Sequence, residues 1–143
     1  MDPNCLFCKI VAGEIPAYQI YEDDDFLAFL DINPINLGHT LLIPKIHAHN
    51  LFDLPTETLT KLGPVLQKVG QAVKAGIKAD GLNLGMNNEA QAGQLIFHAH
   101  FHLIPRFEND GFKHWQGQGS ETKTDFEKTQ TAIKKELASW QFF

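Results

Sequence analysis

The sequence predicts an α+β fold, in which about five mostly antiparallel strands form a sheet with two main helices. Short runs rich in apolar and branched residues alternate with Gly, Pro, Asn and Asp, a pattern typical of strands joined by turns. One long segment, residues 56–78, instead repeats its apolar residues at helical spacing. A third segment, residues 97–105, alternates histidine with apolar residues, which is the period of a half-buried strand. At 143 residues the chain fits a single domain, 1–143, whose core needs no disulfides.

The first half of the chain is predicted to form a short helix and three strands. Residues 5–11 suit a short helix or turn that stops around Gly13 and Pro16. Residues 18–22 and 26–31 suit the two strands of a hairpin around the acidic turn at residues 23–25. After the loop at residues 33–38, the apolar run 40–43 is predicted to be a buried strand that Pro44 ends.

The second half is predicted to hold both main helices and the remaining strands. The helix over 56–78 presents an apolar face, and Gly63-Pro64 is expected to kink it or to separate its first turns. Strands follow at 82–86 and 97–105, joined by a polar loop at 87–94. After a long connection over 105–119, a capping box at Thr124 to Glu127 is predicted to open the last helix. The apolar face of that helix is Phe126, Ile133, Leu137 and Trp140.

Three of the seven histidines lie at alternate positions, as His98, His100 and His102. Side chains at i, i+2 and i+4 of a strand share one face, so the three imidazoles are expected to project together while the apolar residues between them enter the core. A rise of about 3.3 Å per residue separates the outer two by about 13 Å, which argues against one ion bound by both. The alternative is that the row is simply the polar outer face of an edge strand.

Composition and charge limit the classes of partner. A formal charge of −5 argues against nucleic acid as the main partner. No secretory signal is visible and no apolar stretch is long enough to span a bilayer, so no membrane partner is expected. Two cysteines three positions apart are too few for a disulfide framework, and a cytoplasmic location is the expectation.

The histidine row suits chemistry at phosphorus. Neutral imidazole is a good nucleophile toward phosphorus near neutral pH when its other ring nitrogen is held as a donor. His100, with an imidazole on each side, is the natural nucleophile, and His102 can donate to a phosphate oxygen or to the leaving group. Asn87 and Gln94 add amide donors before the row.

These residues resemble the His-φ-His-φ-His-φ-φ signature of the histidine triad (HIT) superfamily of nucleotide hydrolases and transferases, where φ is an apolar residue. Further similarities run through most of the chain in the same order, at residues 5–10, 13–16, 29–32, 38–40, 43–47 and 92–94. The resemblance implies that His100 forms a nucleotidyl-histidine intermediate. It also implies that His98 and His102 flank this nucleophile and that His39, on the neighbouring strand, supports it.

The resemblance further implies which residues bind the nucleotide. Asp31 matches the acidic residue that hydrogen-bonds ribose hydroxyls, and Asn87 and Gln94 match positions near the phosphate. Alternatives stay open: Asp31 caps the turn that follows it, Gln94 contributes only loop polarity, and His39 is a satisfied buried histidine. Leu95 departs from the family pattern, because many relatives carry Ser or Thr there, whose hydroxyl would assist the leaving group.

Asn87 favours the Hint-like purine nucleoside phosphoramidases over the Fhit-like dinucleoside polyphosphate hydrolases, which tend to carry Gln there. The Hint-like branch implies hydrolysis at the α-phosphate of purine nucleoside phosphoramidates or related nucleotidyl conjugates, with release of a nucleoside monophosphate. It also implies a HIT-like fold and a homodimer whose sheets join across the two-fold axis. The apolar end, Trp140 to Phe143, suits burial at such an interface or packing within its own subunit.

Two other classes of function stay open. In the first, His98 and His100 are ligands of a catalytic metal that activates water. In the second, the protein is mainly a nucleotide-binding regulator whose turnover is incidental. Sequence does not separate the second class from an enzyme, because binding and slow hydrolysis use the same pocket.

Cys5-x-x-Cys8 predicts a structural zinc ion. Two cysteines at this spacing can present two thiolates to one tetrahedral ion. His98 and His47 are expected to complete the shell, His47 by its positional match to zinc-bearing HIT relatives such as the galactose-1-phosphate uridylyltransferases. His49 is the competing ligand, and two reduced thiols packed as small apolar groups are the alternative to any metal. No cofactor is expected to be required for catalysis.

Overall fold

The computed structural model describes residues 1–117 and 119–139, and it contains a five-stranded sheet. In chain order the strands are β1 (Gln19–Glu22), β2 (Phe26–Leu30), β3 (Thr40–Pro44), β4 (Gly81–Gly85) and β5 (Phe101–Arg106). Their spatial order is β1-β2-β3-β5-β4, and each pairing is antiparallel. The helices are α1 (Leu6–Val11), α2 (Thr56–Gly76) and α3 (Lys123–Ser139). The predicted α+β class, with a five-stranded antiparallel sheet, is thereby confirmed.

The two faces of the sheet are covered by different helices, because successive strand residues point to opposite sides. One cluster joins Val69 and Val73 of α2 to the strand residues Phe26, Ala28, Leu42, Phe101 and Leu103. The other joins Phe7, Cys8 and Ile10 of α1 to Leu27, Phe29, Leu41 and Ile43. β5, which contains the end of the histidine segment (residues 97–105), therefore lies in a sheet that is packed on both sides.

The histidine segment keeps the predicted alternation. Ala99 and Leu103 are buried in the cluster with α2. The imidazoles of His98 and His100 instead contact the ring of Phe7, on the α1 side of the sheet. The alternative of a polar outer face on an edge strand is wrong, because β5 lies between β3 and β4.

The predicted start of the histidine strand is wrong, since β5 begins at Phe101 rather than at residue 97. The register pairs Phe101 with Leu42 of β3, which places Pro44 opposite Ala99. Proline has no N–H with which to continue the ladder. The N–H of Ala99 instead donates to the carbonyl of Ala48 at 2.7 Å. The segment before β5 is therefore tied to the loop after β3.

The long helix α2 runs through Gly63-Pro64, so the expected separation of its first turns does not occur. Pro64 lacks the N–H that would reach the carbonyl of Thr60, which removes one helical bond. Buried side chains on both sides of the proline, Leu62 before it and Val69 after it, pack in the same cluster. This shared packing keeps the two parts in one helix.

The last helix begins at Lys123, and its capping residue lies two positions before the predicted one. Oγ1 of Thr122 accepts from the N–H of Asp125 at 3.3 Å, and the N–H of Thr122 donates to the Asp125 carboxylate at 2.9 Å. The capping box is thus Thr122 to Asp125, and the prediction at Thr124 to Glu127 is wrong. Both segments carry the same Thr-x-x-acid spacing, so the pattern alone does not separate them.

The chain divides into two compact units, Met1–Phe112 and Lys113–Phe143. In the second unit, the predicted apolar residues Phe126, Ile133 and Leu137 of α3 are exposed. Residues 140–143, including Trp140 and the apolar end assigned to an interface, lie outside the described residues. The prediction of one domain over 1–143 stays a prediction. None of the helices in the described part of the chain has the length and apolar character that a membrane crossing needs.

Candidate active site

A cavity of about 540 Å³ lies beside α1, the loop before β3 and the histidine segment. Its volume is in the range of pockets that hold small ligands, about 300–1,000 Å³. Its apolar wall includes Leu6, Phe7, Ile10, Ile15, Phe29, Leu41 and Ile96. Its polar wall includes Asp31, His39, Asn87, His100 and His102. An apolar wall that meets several imidazoles and an amide suits a ligand with one flat apolar part and one anionic part.

His100 is held in one tautomer. It is buried, and its Nδ1 lies 2.6 Å from the carbonyl oxygen of His98. A carbonyl oxygen only accepts, so Nδ1 carries the proton and donates it. Nε2 therefore keeps its lone pair, on a residue that lines the cavity. A neutral imidazole nucleophile needs this arrangement.

A second pair of imidazoles forms a relay with a defined direction. The backbone N–H of Ile35 donates to Nδ1 of His39 at 3.2 Å, so that nitrogen carries no proton. Nε2 of His39 then carries it and donates to Nδ1 of His102, 2.9 Å away. This leaves the proton of His102 on Nε2. His102 is thereby prepared to donate a hydrogen bond to a ligand in the cavity.

Burial keeps both relay imidazoles neutral. Desolvation lowers the pKa of His39, although the carboxylate of Asp31 acts in the opposite direction. The pKa of His102 is lowered to about 4, first by burial and then by the neighbouring His100 and His39. Near neutral pH the relay therefore contains no charged imidazole, which the tautomers above require.

Asp31 follows β2, and its two carboxylate oxygens have different surroundings. Its Oδ1 accepts from the N–H of Asn33 at 2.8 Å, so the turn-capping alternative is correct for that oxygen. Its Oδ2 lies 3.6 Å from Nδ1 of His39, which is too far for a hydrogen bond. Because Asp31 also lines the cavity, Oδ2 is the oxygen that a ligand hydroxyl can use.

Asn87 and Gly93 form the part of the polar wall that precedes the histidine segment. Nδ2 of Asn87 donates to the carbonyl of Gly93 at 3.2 Å. Gly93 has φ +87°, and an added Cβ would lie 3.4 Å from that Nδ2. Glycine therefore suits both the left-handed backbone and the close approach of the amide. The bond leaves one N–H of the Asn87 amide for a ligand.

Gln94 lies behind this wall and is not among the described residues that line the cavity. Its Nε2 donates to the carbonyls of His49 and Ile96, and its Oε1 accepts from the N–H of Glu89 at 2.7 Å. The amide thus holds the loop in place. The predicted contact of Gln94 with a phosphate stays a prediction, and it is disfavoured because the amide is already bonded to three backbone groups. Leu95, which has no hydroxyl, is 87% exposed and lines the cavity.

Cys5, Cys8, His47 and His98 bring their ligand atoms to within 4.8 Å of one another. Sγ of Cys5 lies 3.4 Å from Nδ1 of His98, and Sγ of Cys8 lies 3.4 Å from Nδ1 of His47 and 3.7 Å from Nδ1 of His98. A tetrahedral zinc ion with Zn–S of about 2.3 Å and Zn–N of about 2.0 Å separates such atoms by about 3.6 Å. The four side chains, defined here as the cysteine–histidine group, therefore fit a zinc ion.

His98 is oriented toward the cysteine–histidine group. Its Nε2 donates to the carbonyl of Pro44 at 2.9 Å, which leaves the lone pair on Nδ1, the atom that faces the thiols. Burial lowers the pKa of His98 to about 4 and raises the pKa of the Cys8 thiol. The imidazole is thus ready to bind a metal, whereas the thiol needs a cation to become a thiolate. The ring of His49 meets that of His47 edge-to-face, at 5.3 Å between centroids, but His49 is not part of the group, which favours His47 as the ligand.

Sequence reasoning missed the residues that orient the imidazoles. The N–H of Ile35 fixes the tautomer of His39, and no side-chain pattern encodes a backbone contact. The ring of Phe7 contacts both His98 and His100. For Phe7 a signal existed, because it lies between two cysteines that were predicted to meet His98.

The family model for the HIT domain matches residues 12–109, which is more than half of the chain. The chain belongs to the HIT family. Adenosine 5′-monophosphoramidase HNT1 of Saccharomyces cerevisiae is 41% identical over 140 residues, which are 96% of this chain and 84% of that protein. Relatives of this kind place the chain in the Hint-like branch of the family, as its motifs predicted.

Solved structures of the HIT family share the fold. The structure of SMU.412c from Streptococcus mutans aligns with a TM-score of 0.89 at 44% identity, over 96% of this chain and 87% of that one. A zinc-bound histidine triad family protein from Mycobacterium smegmatis aligns with a TM-score of 0.73 at 36% identity, over 96% and 98%. The predicted HIT-like fold is therefore confirmed.

Proposed function

We propose that this protein is a nucleotide hydrolase that acts at the α-phosphate of purine nucleoside phosphoramidates or related nucleotidyl conjugates and releases a nucleoside monophosphate. The observation that carries the proposal is the 2.6 Å bond from Nδ1 of His100 to the carbonyl of His98, which leaves Nε2 nucleophilic at the cavity. Similarity to a protein named adenosine 5′-monophosphoramidase supports the same class of reaction.

In the first step, Nε2 of His100 attacks the α-phosphorus and forms a P–N bond. The bond from phosphorus to the leaving group breaks, and the nitrogen of a phosphoramidate departs as an amine after taking a proton from solvent. Charge on the phosphate oxygens is met by Nε2–H of His102 and by an amide N–H of Asn87. Because the pKa of His102 is about 4, this ring acts as a neutral donor.

In the second step, water attacks the phosphorus of the nucleotidyl-histidine. The P–N bond to His100 breaks, the nucleoside monophosphate leaves, and the proton lost by water passes to solvent. A P–N bond of this kind is readily hydrolysed, so the imidazole returns to its starting state. The carbonyl of His98 holds the proton on Nδ1 of His100 throughout.

The remaining cavity residues suit the nucleoside. The purine is assigned to the apolar wall at Phe7, Ile10 and Phe29, where a flat ring can be buried against aromatic and branched side chains. Oδ2 of Asp31 is assigned to a ribose hydroxyl. With these two assignments, we assign the α-phosphate to the polar wall, among the imidazoles.

The test compares release of AMP from adenosine 5′-phosphoramidate with release from diadenosine polyphosphates. We expect the phosphoramidate to react faster, and the reverse order would identify a dinucleoside polyphosphate hydrolase. His100→Asn should lower turnover by more than about a hundredfold, the scale of acid–base help alone, while AMP binding persists. His49→Asn is the matched control, because His49 is exposed and outside the cavity lining. Negligible wild-type turnover with tight AMP binding would identify a nucleotide-binding regulator.

A catalytic metal shared by His98 and His100 is not favoured by the geometry. Nδ1 of His98 faces the thiols of the cysteine–histidine group, and its Nε2 is bonded to a carbonyl. Nδ1 of His100 is likewise bonded to a carbonyl. The free lone pairs of the two imidazoles, on Nδ1 of His98 and Nε2 of His100, therefore do not converge on one ion.

We also propose one structural zinc ion per chain, held by Cys5, Cys8, His47 and His98. Bound there, zinc would supply four tetrahedral bonds that fix the N-terminal segment against the histidine segment, with no open position for substrate. Metal analysis of protein purified without chelator should find about one zinc per chain in wild type and in His49→Asn, and none in Cys8→Ser. Wild-type protein without zinc, or unchanged zinc in Cys8→Ser, would contradict the proposal.

We propose that the protein is a homodimer, as the family resemblance and the apolar end at residues 140–143 suggest. Those end residues lie outside the described part of the chain. Sedimentation at micromolar concentration should give twice the 16.1 kDa mass of one chain. A mass near 16.1 kDa would contradict the dimer. A cytoplasmic location also stays a proposal.

A further inference from the structure

The short helix α1 belongs to two sites at once. Cys5, its N-cap, and Cys8 are members of the cysteine–histidine group. Leu6, Phe7 and Ile10 line the cavity assigned to the nucleotide. A single turn of helix therefore joins the two thiols to the cavity wall.

The ring of Phe7 contacts both His98, a member of the cysteine–histidine group, and His100, the proposed nucleophile. Its ring lies 5.8 Å from that of His98 at 73° and 5.4 Å from that of His100 at 82°. A third contact, 5.6 Å at 71°, joins it to Phe29. Phe7 is only 5% exposed. These separations and angles are those of edge-to-face aromatic pairs.

The hydrogen bond of His100 does not by itself fix its ring. The bond from Nδ1 to the carbonyl of His98 holds one ring atom, and the imidazole can still tilt about that atom. The ring of Phe7 stands nearly perpendicular to the imidazole and limits this tilt. The ring of His102 contacts the imidazole as well, at 5.0 Å and 69°. The carbonyl of His98 and these two rings together set the direction of the Nε2 lone pair. A misplacement of about 1 Å at a reacting atom can cost about a hundredfold in rate.

We infer that Phe7 is a positioning residue for His100 and that it makes the orientation of the nucleophile depend on the cysteine end of α1. The inference rests on the proposed function, because its consequence is a rate of nucleotidyl transfer. Sγ of Cys5 accepts from the N–H of Cys8 at 3.5 Å, and Sγ of Cys8 accepts from the N–H of Asp2 at 3.4 Å. Loss of these thiol contacts releases the first turn of α1, and Phe7 with it.

Phe7→Leu tests the positioning role, since leucine keeps an apolar wall but removes the flat ring. We expect kcat on adenosine 5′-phosphoramidate to fall about tenfold, or about 1.4 kcal/mol in the barrier. AMP affinity should fall by clearly less than kcat, because leucine keeps an apolar side chain in the wall assigned to the purine. Val11→Ala is the matched control, because Val11 packs in the same cluster but is outside the cavity lining. An unchanged kcat in Phe7→Leu, or equal losses of kcat and AMP affinity, would overturn the inference.

Two readouts do not depend on turnover. In Phe7→Leu, the NMR resonances of the His100 ring should shift because the neighbouring phenyl ring is gone, whereas those of His49 should not. Zinc on Cys5 and Cys8 would itself block a thiol reagent, so their labelling is followed after any bound metal has been removed with a chelator. Saturating AMP should then slow the labelling of both thiols in wild type, and Phe7→Leu should lose this protection. The inference would be overturned if the His100 resonances did not shift in Phe7→Leu. It would also be overturned if AMP did not change the labelling rate of the wild-type thiols. Wild-type protein that releases no AMP would contradict the proposed function instead.

Discussion

His39→Phe removes both nitrogens of the relay while a ring of similar size keeps the buried site filled. In the wild type, the N–H of Ile35 donates to Nδ1 of His39, and Nε2 of His39 donates to Nδ1 of His102 at 2.9 Å. Without His39, Nδ1 of His102 has no donor, and the tautomer with its proton on Nδ1 becomes accessible. That tautomer presents a lone pair, rather than a proton, to the phosphate oxygens.

The structure sets the size of this effect. A buried polar atom that loses its partner costs about 1–3 kcal/mol. At a factor of ten for each 1.36 kcal/mol, kcat should fall about 5–150-fold. AMP affinity should change by less than about threefold, since Asp31 and the apolar wall are intact. His39→Gln should recover most of the loss, because its amide can accept from Ile35 and donate to His102.

The assay is steady-state release of AMP from adenosine 5′-phosphoramidate at pH 7, with AMP affinity measured by calorimetry. The relay is refuted as the group that orients His102 if His39→Phe keeps kcat within about threefold of wild type. It is also refuted if His39→Gln is no better than His39→Phe. Equal losses of kcat and AMP affinity would assign His39 to ground-state binding.

Two further predictions concern stability and protonation. Gly38→Ala should lower the free energy of unfolding by about 1–3 kcal/mol, because Gly38 has φ +83° and an added Cβ would lie 2.6 Å from Cδ1 of Ile77. Gly76→Ala, at an open position of α2, should raise the free energy of unfolding by about 0.5–1 kcal/mol. Urea unfolding measures both variants, and equal changes in the two would contradict the prediction. The His102 ring should titrate by NMR near pH 4, not near 6.5. Because folding lowers this pKa, the unfolded chain binds the proton at a higher pH than the folded chain does. The contribution of His102 should therefore reduce the free energy of unfolding as the pH falls from 6.5 toward 4. An NMR titration midpoint near pH 6.5 would contradict a buried neutral ring.

Features that are set locally along the chain could be predicted from the sequence. The period of two in the histidine segment correctly placed Ala99 and Leu103 in the core. It did not give the start of β5, because that depends on Pro44 of another strand and on the register that brings it opposite Ala99. The capping box shows the same limit, since two overlapping segments satisfy one local pattern and only one is used.

In the site, too, only what is set by neighbouring residues in the sequence could be predicted. Cys5 and Cys8 are close in sequence, and their spacing predicted the group that they form. The choice between His47 and His49 could not follow from spacing, because the path of the loop after β3 decides which imidazole faces the thiols. A glutamine before the histidine segment looks the same in sequence whether it faces a phosphate or, as Gln94 does, backbone carbonyls.

A covalent intermediate on His100 is the central claim, and rapid-quench mass spectrometry tests it most directly. Protein in excess is mixed with adenosine 5′-phosphoramidate, the reaction is stopped at alkaline pH, where a histidine P–N bond persists, and the peptides are analysed. Wild type should carry an adenylyl group on His100 that decays as AMP appears, and His100→Asn should carry none. AMP release in this single turnover without any adduct, or with an adduct on another residue, would contradict the mechanism.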